Sequence, residues 1–261
     1  MALNSFNVTF LGTGTSQGIP LIGCDCPVCT SDDKRDNRLR SSILIEINGK
    51  NYTVDAGPDF RYQMLRENVK QLDGILFTHE HKDHVAGLDD VRPFNYLNNK
   101  DMDIYCDNLV ERALKRDYYY AFSEVKYPGV PRLNMIHIEK ATPFFLQDDV
   151  KVIPIEVIHY NLPVLGFRIE NFTYITDCKT IDPIELEKIK GTDILVINAL
   201  REEQHISHLN LKEALELIAY IQPKQAYLTH ISHHLGKYED ILKKLPANVF
   251  PSYDGLKLAI Q

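Results

Sequence analysis

The chain has 261 residues, of which 44% are hydrophobic and 25% are charged, and its formal net charge is −7 at pH 7. This composition is typical of a globular protein with a sizeable core. The negative charge argues against a nucleic-acid partner, because proteins that grip many phosphates present a basic face. No apolar run approaches the roughly 18 residues of a membrane span, and the first residues lack a signal-peptide pattern. We therefore expect a cytoplasmic protein with no membrane partner.

The first strands surround a glycine-rich turn. Phe6 to Leu11 predicts a strand that runs directly into the turn at residues 12–18. Such a turn can cradle a phosphate, but no helix pattern follows it, so a flexible loop is an equal alternative. Residues 41–47 and 50–54 then flank Asn48-Gly49, which predicts a β-hairpin with a two-residue turn.

Three of the five cysteines lie within six residues, at Cys24, Cys26 and Cys29. Thiolates are soft ligands, and a short loop at residues 23–29 can point them at one ion, as in a zinc knuckle. An odd number of cysteines in one cluster argues against a disulfide framework, although free loop thiols are the alternative. A closed tetrahedral site needs a fourth ligand, and we expect a histidine from elsewhere in the chain.

The densest group of possible ligands follows a short apolar run at residues 72–77, which predicts a buried strand. His79, His81, Asp83 and His84 come directly after it. Imidazole and carboxylate groups suit zinc, manganese or iron. Four such groups exceed the share of one ion, so we expect His79 and His81 to face one metal while Asp83 and His84 face a second.

The pattern of strands is interrupted at about residues 89–131. Residues 108–116 predict a helix, and residues 117–122 are unusually aromatic. We interpret this segment as a helical insertion over the mouth of the site. It could form a substrate wall or a dimer contact, and ordinary packing of its aromatic side chains is the alternative.

Strands return in the second half, and polar residues again stand at their ends. His159, Asp177 and His230 each follow a predicted strand. A single residue of this kind is usually structural, whereas three together suggest a shared site. Asn210 and Glu213 predict a capping box at the start of a helix. The other predicted strands cover residues 133–139, 143–146, 150–158, 164–170, 172–176, 193–197 and 224–228, and a further helix covers residues 183–190.

These motifs resemble the metallo-β-lactamase superfamily over nearly the whole chain. Within it they are most similar to the phosphodiesterases that open a phosphoribosyl 1,2-cyclic phosphate during phosphonate breakdown. The resemblance implies an α/β, four-layer αββα fold with two packed mixed sheets flanked by helices, in a single domain over residues 1–261. The motifs that carry it are Leu11-Gly12-Thr13-Gly14, the cysteine knuckle, residues 78–84, Thr176-Asp177-Cys178 and residues 228–233.

The resemblance also implies a role for each candidate residue. One metal is held by His79, His81 and His159, and a second by Asp83, His84 and His230, with Asp177 as the bridge. Asp55 supports this site from behind, although a simple turn aspartate is an equal alternative. His233 completes a structural zinc site with Cys24, Cys26 and Cys29. His208, which we expect to be exposed, helps to protonate the leaving oxygen, with His205 as a competitor and Asp83 as a second catalytic group.

The expected reaction is hydrolysis of a small cyclic or simple phosphodiester with two divalent ions, zinc or manganese. Two such ions can activate a water and neutralise phosphoryl charge. One alternative is an endoribonuclease of the tRNA 3′-end type, which the acidic charge disfavours. Another is a non-catalytic metal or metabolite carrier, like the relative in pyrroloquinoline quinone biosynthesis. A homodimer is implied by the resemblance alone.

Overall fold

The computed structural model describes residues 5–125, 127–147 and 150–260, in which fifteen β-strands and eight α-helices are formed. The strands are β1 (Phe6–Gly12), β2 (Ser42–Ile47), β3 (Lys50–Val54), β4 (Gly74–Leu76), β5 (Met102–Cys106), β6 (Leu133–His137), β7 (Phe144–Leu146), β8 (Val150–His159), β9 (Leu162–Ile169), β10 (Phe172–Ile175), β11 (Thr180–Ile181), β12 (Ile194–Asn198), β13 (Gln225–Thr229), β14 (Val249–Pro251) and β15 (Lys257–Ala259). The helices are α1 (Phe60–Arg66), α2 (Lys82–Val85), α3 (Arg92–Asn98), α4 (Asn108–Asp117), α5 (Tyr119–Phe122), α6 (Pro183–Ile189), α7 (Leu211–Ile221) and α8 (Tyr238–Leu242).

Both sheets are mixed. The first has the order β15-β1-β2-β3-β4-β5-β6, and the second has the order β11-β8-β9-β10-β12-β13-β14, with β7 beside β8. Strands β3 to β6 run parallel in the first sheet, and β10, β12, β13 and β14 run parallel in the second. The remaining neighbours pair antiparallel.

Three buried apolar clusters separate four layers. The central cluster joins the facing sides of the two sheets, where Phe10 of β1 meets Tyr227 of β13 with ring centroids 5.9 Å apart. A second cluster lies between the first sheet and helices α1, α3 and α4. A third lies between the second sheet and helices α6, α7 and α8. Helix, sheet, sheet and helix layers therefore follow one another, which confirms the predicted αββα architecture.

Local sequence signals explain several element boundaries. Asn48 and Gly49 have φ angles of 49° and 79°, as a type I′ hairpin turn requires, so the predicted β2–β3 hairpin is confirmed. Asn210 caps α7 by accepting a hydrogen bond from the Glu213 amide, while the Glu213 carboxylate accepts one from the Asn210 amide. The predicted capping box is thus confirmed.

The segment at residues 89–131 differs from the expectation of a purely helical insertion. It contains α3, α4 and α5, but also β5, which pairs parallel with β4 and β6 inside the first sheet. No helix in the described part of the chain is long and apolar enough to cross a membrane.

Candidate metal centre

The loop after β4 carries four possible ligands at the carboxyl edge of the first sheet. His81 is the N-terminal cap of the short helix α2, which contains Asp83 and His84. Two glycines let this loop lie directly on the turn that follows β3. A Cβ on Gly57 would lie 2.0 Å from the Asp83 carbonyl oxygen, and one on Gly87 would lie 2.0 Å from the Gly57 carbonyl oxygen. The sequence therefore fixes the loop by close backbone contact.

Three further polar residues stand where strands end. Asp55 follows β3, Asp177 lies two residues beyond β10, and His230 follows β13. Each has a left-handed backbone, with φ angles of 67°, 52° and 52°. This conformation is uncommon for residues other than glycine, although Asp, Asn and His adopt it more often than most, and it is concentrated at functional sites. It turns the chain sharply, so each side chain points across the edge of its sheet.

The ligand atoms of these groups converge. His84 Nε2 lies 3.1 Å from Asp83 Oδ2 and 3.2 Å from Asp177 Oδ2, and His230 Nδ1 lies 3.2 Å from the same Asp177 oxygen. His79, His81 and His159 form the other side, with ring centroids 4.6 to 5.9 Å apart. The structure thus brings together all seven residues predicted to line the dinuclear site.

Each of four histidines has one ring nitrogen engaged by a fixed partner. His84 Nδ1 lies 2.7 Å from Asp55 Oδ2, and His79 Nδ1 lies 3.0 Å from Thr78 Oγ1. The Ser207 carbonyl oxygen lies 2.8 Å from His159 Nδ1, and Thr15 Oγ1 lies 3.2 Å from His230 Nε2. This arrangement directs the second nitrogen of each ring into the centre and is typical of metal-binding histidines.

The buried atoms at the centre lack other partners. His79 Nε2, His84 Nε2 and His230 Nδ1 are buried without a hydrogen bond to any described residue. Two ligands about 2.0–2.2 Å from one ion lie roughly 3–3.5 Å apart, and the carboxylate and imidazole atoms here have that spacing. Unpartnered buried nitrogens beside carboxylates therefore fit divalent cations.

The charges of the site are strongly coupled. Burial opposes ionisation of Asp177, but His230 and His84 outweigh it and hold its pKa well below the ordinary value. Burial also opposes protonation of His84, but Asp83 and Asp177 outweigh it and raise its pKa. For His79, burial and the neighbouring His84 together lower the pKa. The centre is thus a carboxylate cluster that favours positive charge.

His208 lies inside the site, and the expectation that it is exposed was wrong. Only 8% of its surface is accessible. Its Nδ1 lies 3.8 Å from Asp177 Oδ1, and its ring lies 4.4 Å from that of His159. Burial lowers its pKa to about 2. His205 lies 5.2 Å from His208 between ring centroids and is only partly buried, so it stands farther from the carboxylates.

The cysteine cluster forms a second, separate group of ligand atoms. His233 Nδ1 lies 3.4, 3.3 and 3.5 Å from the sulfurs of Cys24, Cys26 and Cys29. A tetrahedral zinc ion with ordinary Zn–S and Zn–N bonds separates sulfur from nitrogen by about 3.5 Å. Backbone amides of Cys29 and Leu21 donate to the sulfurs of Cys26 and Cys29, which stabilises thiolates. The four side chains therefore fit a zinc ion.

Sequence reasoning missed the residues that orient the histidine rings. Thr15, in the glycine-rich turn, bonds to His230, and Thr78, at the start of the histidine cluster, bonds to His79. The Ser207 contact uses a backbone carbonyl, which any residue type could supply. Only the threonines carried a signal in the sequence, because a hydroxyl beside a ligand histidine is a typical supporting group.

Comparisons with known proteins agree with this geometry. The family described as "Beta-lactamase superfamily domain" matches residues 50–231. A crystal structure of a "New Diphosphatase from the PhnP Family" is 37% identical, covers 98% of each chain and has a TM-score of 0.91.

Two curated relatives extend the comparison. The "Octanoyltransferase" of Porphyromonas gingivalis is 38% identical over 96% of this chain, and the match spans 51% of that protein, so this chain covers about half of its length. The "Coenzyme PQQ synthesis protein B" of Methylobacterium radiotolerans is 25% identical over 73% of this chain and 72% of its own length. The chain is similar to these proteins along most of its sequence.

Proposed function

We propose, starting from the fact that this chain belongs to the metallo-β-lactamase superfamily of metal-dependent hydrolases, that it hydrolyses a small phosphodiester. The observation that carries the proposal is the set of buried imidazole nitrogens without partners, placed beside two carboxylates. Such a centre suits substrates that bring negatively charged oxygens, because bound cations and phosphoryl oxygens attract each other.

We assign the first metal to His79, His81 and His159, and the second to Asp83, His84 and His230, with Asp177 between them. The contacts of Asp177 support this, because its Oδ2 faces both His84 and His230. When bound, two divalent ions lower the pKa of a water and neutralise phosphoryl charge. Zinc and manganese both suit these ligands.

The residues around the centre have distinct roles in this proposal. Asp55 holds His84 in the tautomer that leaves Nε2 free, and is itself held by the Thr78 amide and hydroxyl. The buried His208 ring is neutral, and its N–H, next to Asp177, is placed to donate a hydrogen bond to the leaving-group oxygen while that oxygen is protonated. His79, His84, Asp177 and His230 are buried, which excludes bulk water from their side of the centre and strengthens their electrostatic interactions, whereas His81 is exposed at its rim.

We propose a structural zinc at Cys24, Cys26, Cys29 and His233. The sulfur-to-nitrogen distances, which lie between 3.3 and 3.5 Å, support one shared ion. Replacing Cys26 with alanine is expected to remove one zinc per chain and to lower the unfolding temperature. Cys106→Ala is the matched control, because Cys106 is buried outside the cluster. This change alters packing, and the number of zinc ions per chain is expected to stay the same.

The substrate class has two candidates. A cyclic or simple phosphodiester follows from the motifs, and a disubstituted diphosphate is favoured by the 37% identity to a PhnP-family diphosphatase. Turnover of a chromogenic phosphodiester, a 2′,3′-cyclic nucleotide and a dinucleoside diphosphate with manganese or zinc distinguishes them. Bound metals with no turnover of any of the three would contradict the proposal.

The alternative functions fit less well. An RNA-processing nuclease would be expected to carry a basic surface, and the net charge is −7. A carrier would not need a buried histidine beside the metal carboxylates, as His208 is. The match to the "Octanoyltransferase" spans 51% of that protein, so it carries no argument for acyl transfer by this chain.

We further propose that the chain is a single domain that forms a homodimer in the cytoplasm. The central apolar cluster takes side chains from both sheets, which supports one cooperative unit. Exposed aromatic side chains on the segment at residues 89–131, such as Tyr96 and Tyr119, offer an apolar face for a second copy. Light scattering after size-exclusion chromatography measures the dimer directly.

A further inference from the structure

The glycine-rich turn at residues 12–18 has no part in the proposed reaction as described so far. A phosphate cradle needs backbone amides that are free to donate. Here Gly14 donates to the Leu39 carbonyl, Thr15 to the Ile231 carbonyl, and Gly18 back to the Thr15 carbonyl. These amides are engaged within the protein, which argues against the phosphate cradle that the sequence left open.

The turn instead touches the metal centre through one side chain. Thr15 Oγ1 lies 3.2 Å from His230 Nε2, and the opposite nitrogen, Nδ1, lies 3.2 Å from Asp177 Oδ2. When Nδ1 serves as a ligand, Nε2 carries the proton and donates it to the Thr15 hydroxyl oxygen. The hydroxyl therefore fixes the orientation of the ring and can accept the Nε2 proton of the tautomer in which Nδ1 is left for a metal.

The backbone holds this contact from two sides. The Ile231 amide donates to the Thr13 carbonyl, and the Thr15 amide donates to the Ile231 carbonyl, so the turn pairs directly with the residue after His230. Beneath it the Thr13 hydroxyl donates to Asp254 and accepts from the buried Arg38 guanidinium. The turn is thus held against the loop that follows β13.

The cysteine cluster closes the same unit. The chain that leaves the turn reaches Cys24, whose sulfur lies 3.4 Å from His233 Nδ1. His233 stands three residues after His230, on the same loop beyond β13. The segment at residues 13–29 therefore contacts the loop at residues 230–233 at both ends, through Thr15 and through the cysteines.

We propose that the glycine-rich turn is a clamp and that Thr15 is a positioning residue, which holds His230 with Nδ1 directed at the second metal. The inference rests on the proposed function in one respect, namely that metal binds at His230. It assigns the turn to metal binding and not to substrate phosphate. Losing the hydrogen-bond partner of a ligand histidine typically lowers metal affinity about 10- to 100-fold.

The test is a metal titration and not an activity assay. The metal-free protein is titrated with manganese, and free manganese is followed by electron paramagnetic resonance. Thr15→Val removes the hydroxyl with little change in shape, Thr15→Ser keeps it, and Ser16→Ala, an exposed neighbour in the turn, is the control. Unfolding temperatures of the metal-free proteins show whether each variant is folded.

Thr15→Val is expected to weaken one of two manganese sites at least tenfold, while Thr15→Ser and Ser16→Ala bind as the parent protein does. Equal affinity in Thr15→Val and the parent would overturn the clamp and leave the proposed hydrolase standing. Equal weakening in Thr15→Ser and Thr15→Val would also overturn it, because the hydroxyl would then be irrelevant. A parent protein that binds no manganese or zinc would instead contradict the proposed function itself.

Discussion

His84 and Asp55 form a fully buried pair in which His84 Nδ1 lies 2.7 Å from Asp55 Oδ2. The two residues come from different strand ends of the first sheet, and neither side chain has accessible surface. Asp55 also accepts hydrogen bonds from the Thr78 amide and hydroxyl, so its position is fixed independently of His84. The carboxylate therefore determines which nitrogen of His84 is left for a metal.

Replacing Asp55 with asparagine should weaken metal binding about 10- to 100-fold. The asparagine amide can donate to His84 Nδ1, which would move the imidazole proton to Nε2, the nitrogen that faces Asp83 and Asp177. Asparagine tolerates the left-handed backbone at this position, so the fold should be kept. Metal analysis after dialysis measures the loss. Asp73→Asn, at the other end of the same sheet, should retain its metals, and a similar loss there would argue against a specific role for Asp55.

Replacing Gly57 with alanine should destabilise the protein by about 1–3 kcal/mol, as overpacking of a tight contact does. The new Cβ would lie 2.0 Å from the Asp83 carbonyl oxygen, so the metal loop must move away. Chemical denaturation measures the free energy of unfolding. Metal analysis shows whether the displaced loop still binds its metals.

Gly49→Ala is the control for the alanine methyl itself. A Cβ at Gly49 would have no atom within 4 Å. Any loss of stability in this variant therefore comes only from the left-handed φ of 79°. We expect Gly49→Ala to keep its full metal content. A Gly57→Ala protein with full metal content would contradict the close contact.

Replacing His208 with alanine should lower kcat about 10²- to 10⁴-fold, the usual contribution of a positioned acid or base, with metal content unchanged. His205→Ala is the matched control, because His205 is partly exposed and bonds to Ser207. His205→Ala should lower kcat less than His208→Ala does. If His208→Ala loses one metal per chain, then His208 is a ligand and not a proton donor.

Asp254 should make stability depend on pH between about 4 and 6. Burial raises the pKa of this carboxyl from 3.8 to about 6. In that interval the unfolded chain releases the proton while the folded protein keeps it, so stability falls as pH rises and is constant above about pH 6. Two pKa units correspond to roughly 3 kcal/mol.

The comparison of the parent protein with Asp254→Asn isolates this contribution. The free energy of unfolding of the parent, relative to the variant, should fall by roughly 3 kcal/mol from pH 4 to pH 6. Urea denaturation at several pH values measures it. Parallel curves for the two proteins would show that Asp254 titrates normally in the folded state.

Much of the architecture followed from local patterns. The Asn48-Gly49 hairpin and the Asn210 capping box were predicted because their signals lie within four residues and act through backbone geometry. The strand β5 inside residues 89–131 was missed, because a five-residue strand between helices gives little periodic signal and is stabilised by its neighbours β4 and β6.

For the candidate site, the sequence by itself determined the chemistry: a histidine and aspartate cluster and a cysteine knuckle are both local and specific in their residue types. Only the tertiary structure decided which distant groups face each other. His208 is buried beside Asp177, and Thr15 meets His230 across 215 positions of sequence. The physical reason is that ligand types are covalent properties of a short segment. The tautomer, burial and orientation of a ring depend instead on partners that only sheet packing brings within hydrogen-bond distance.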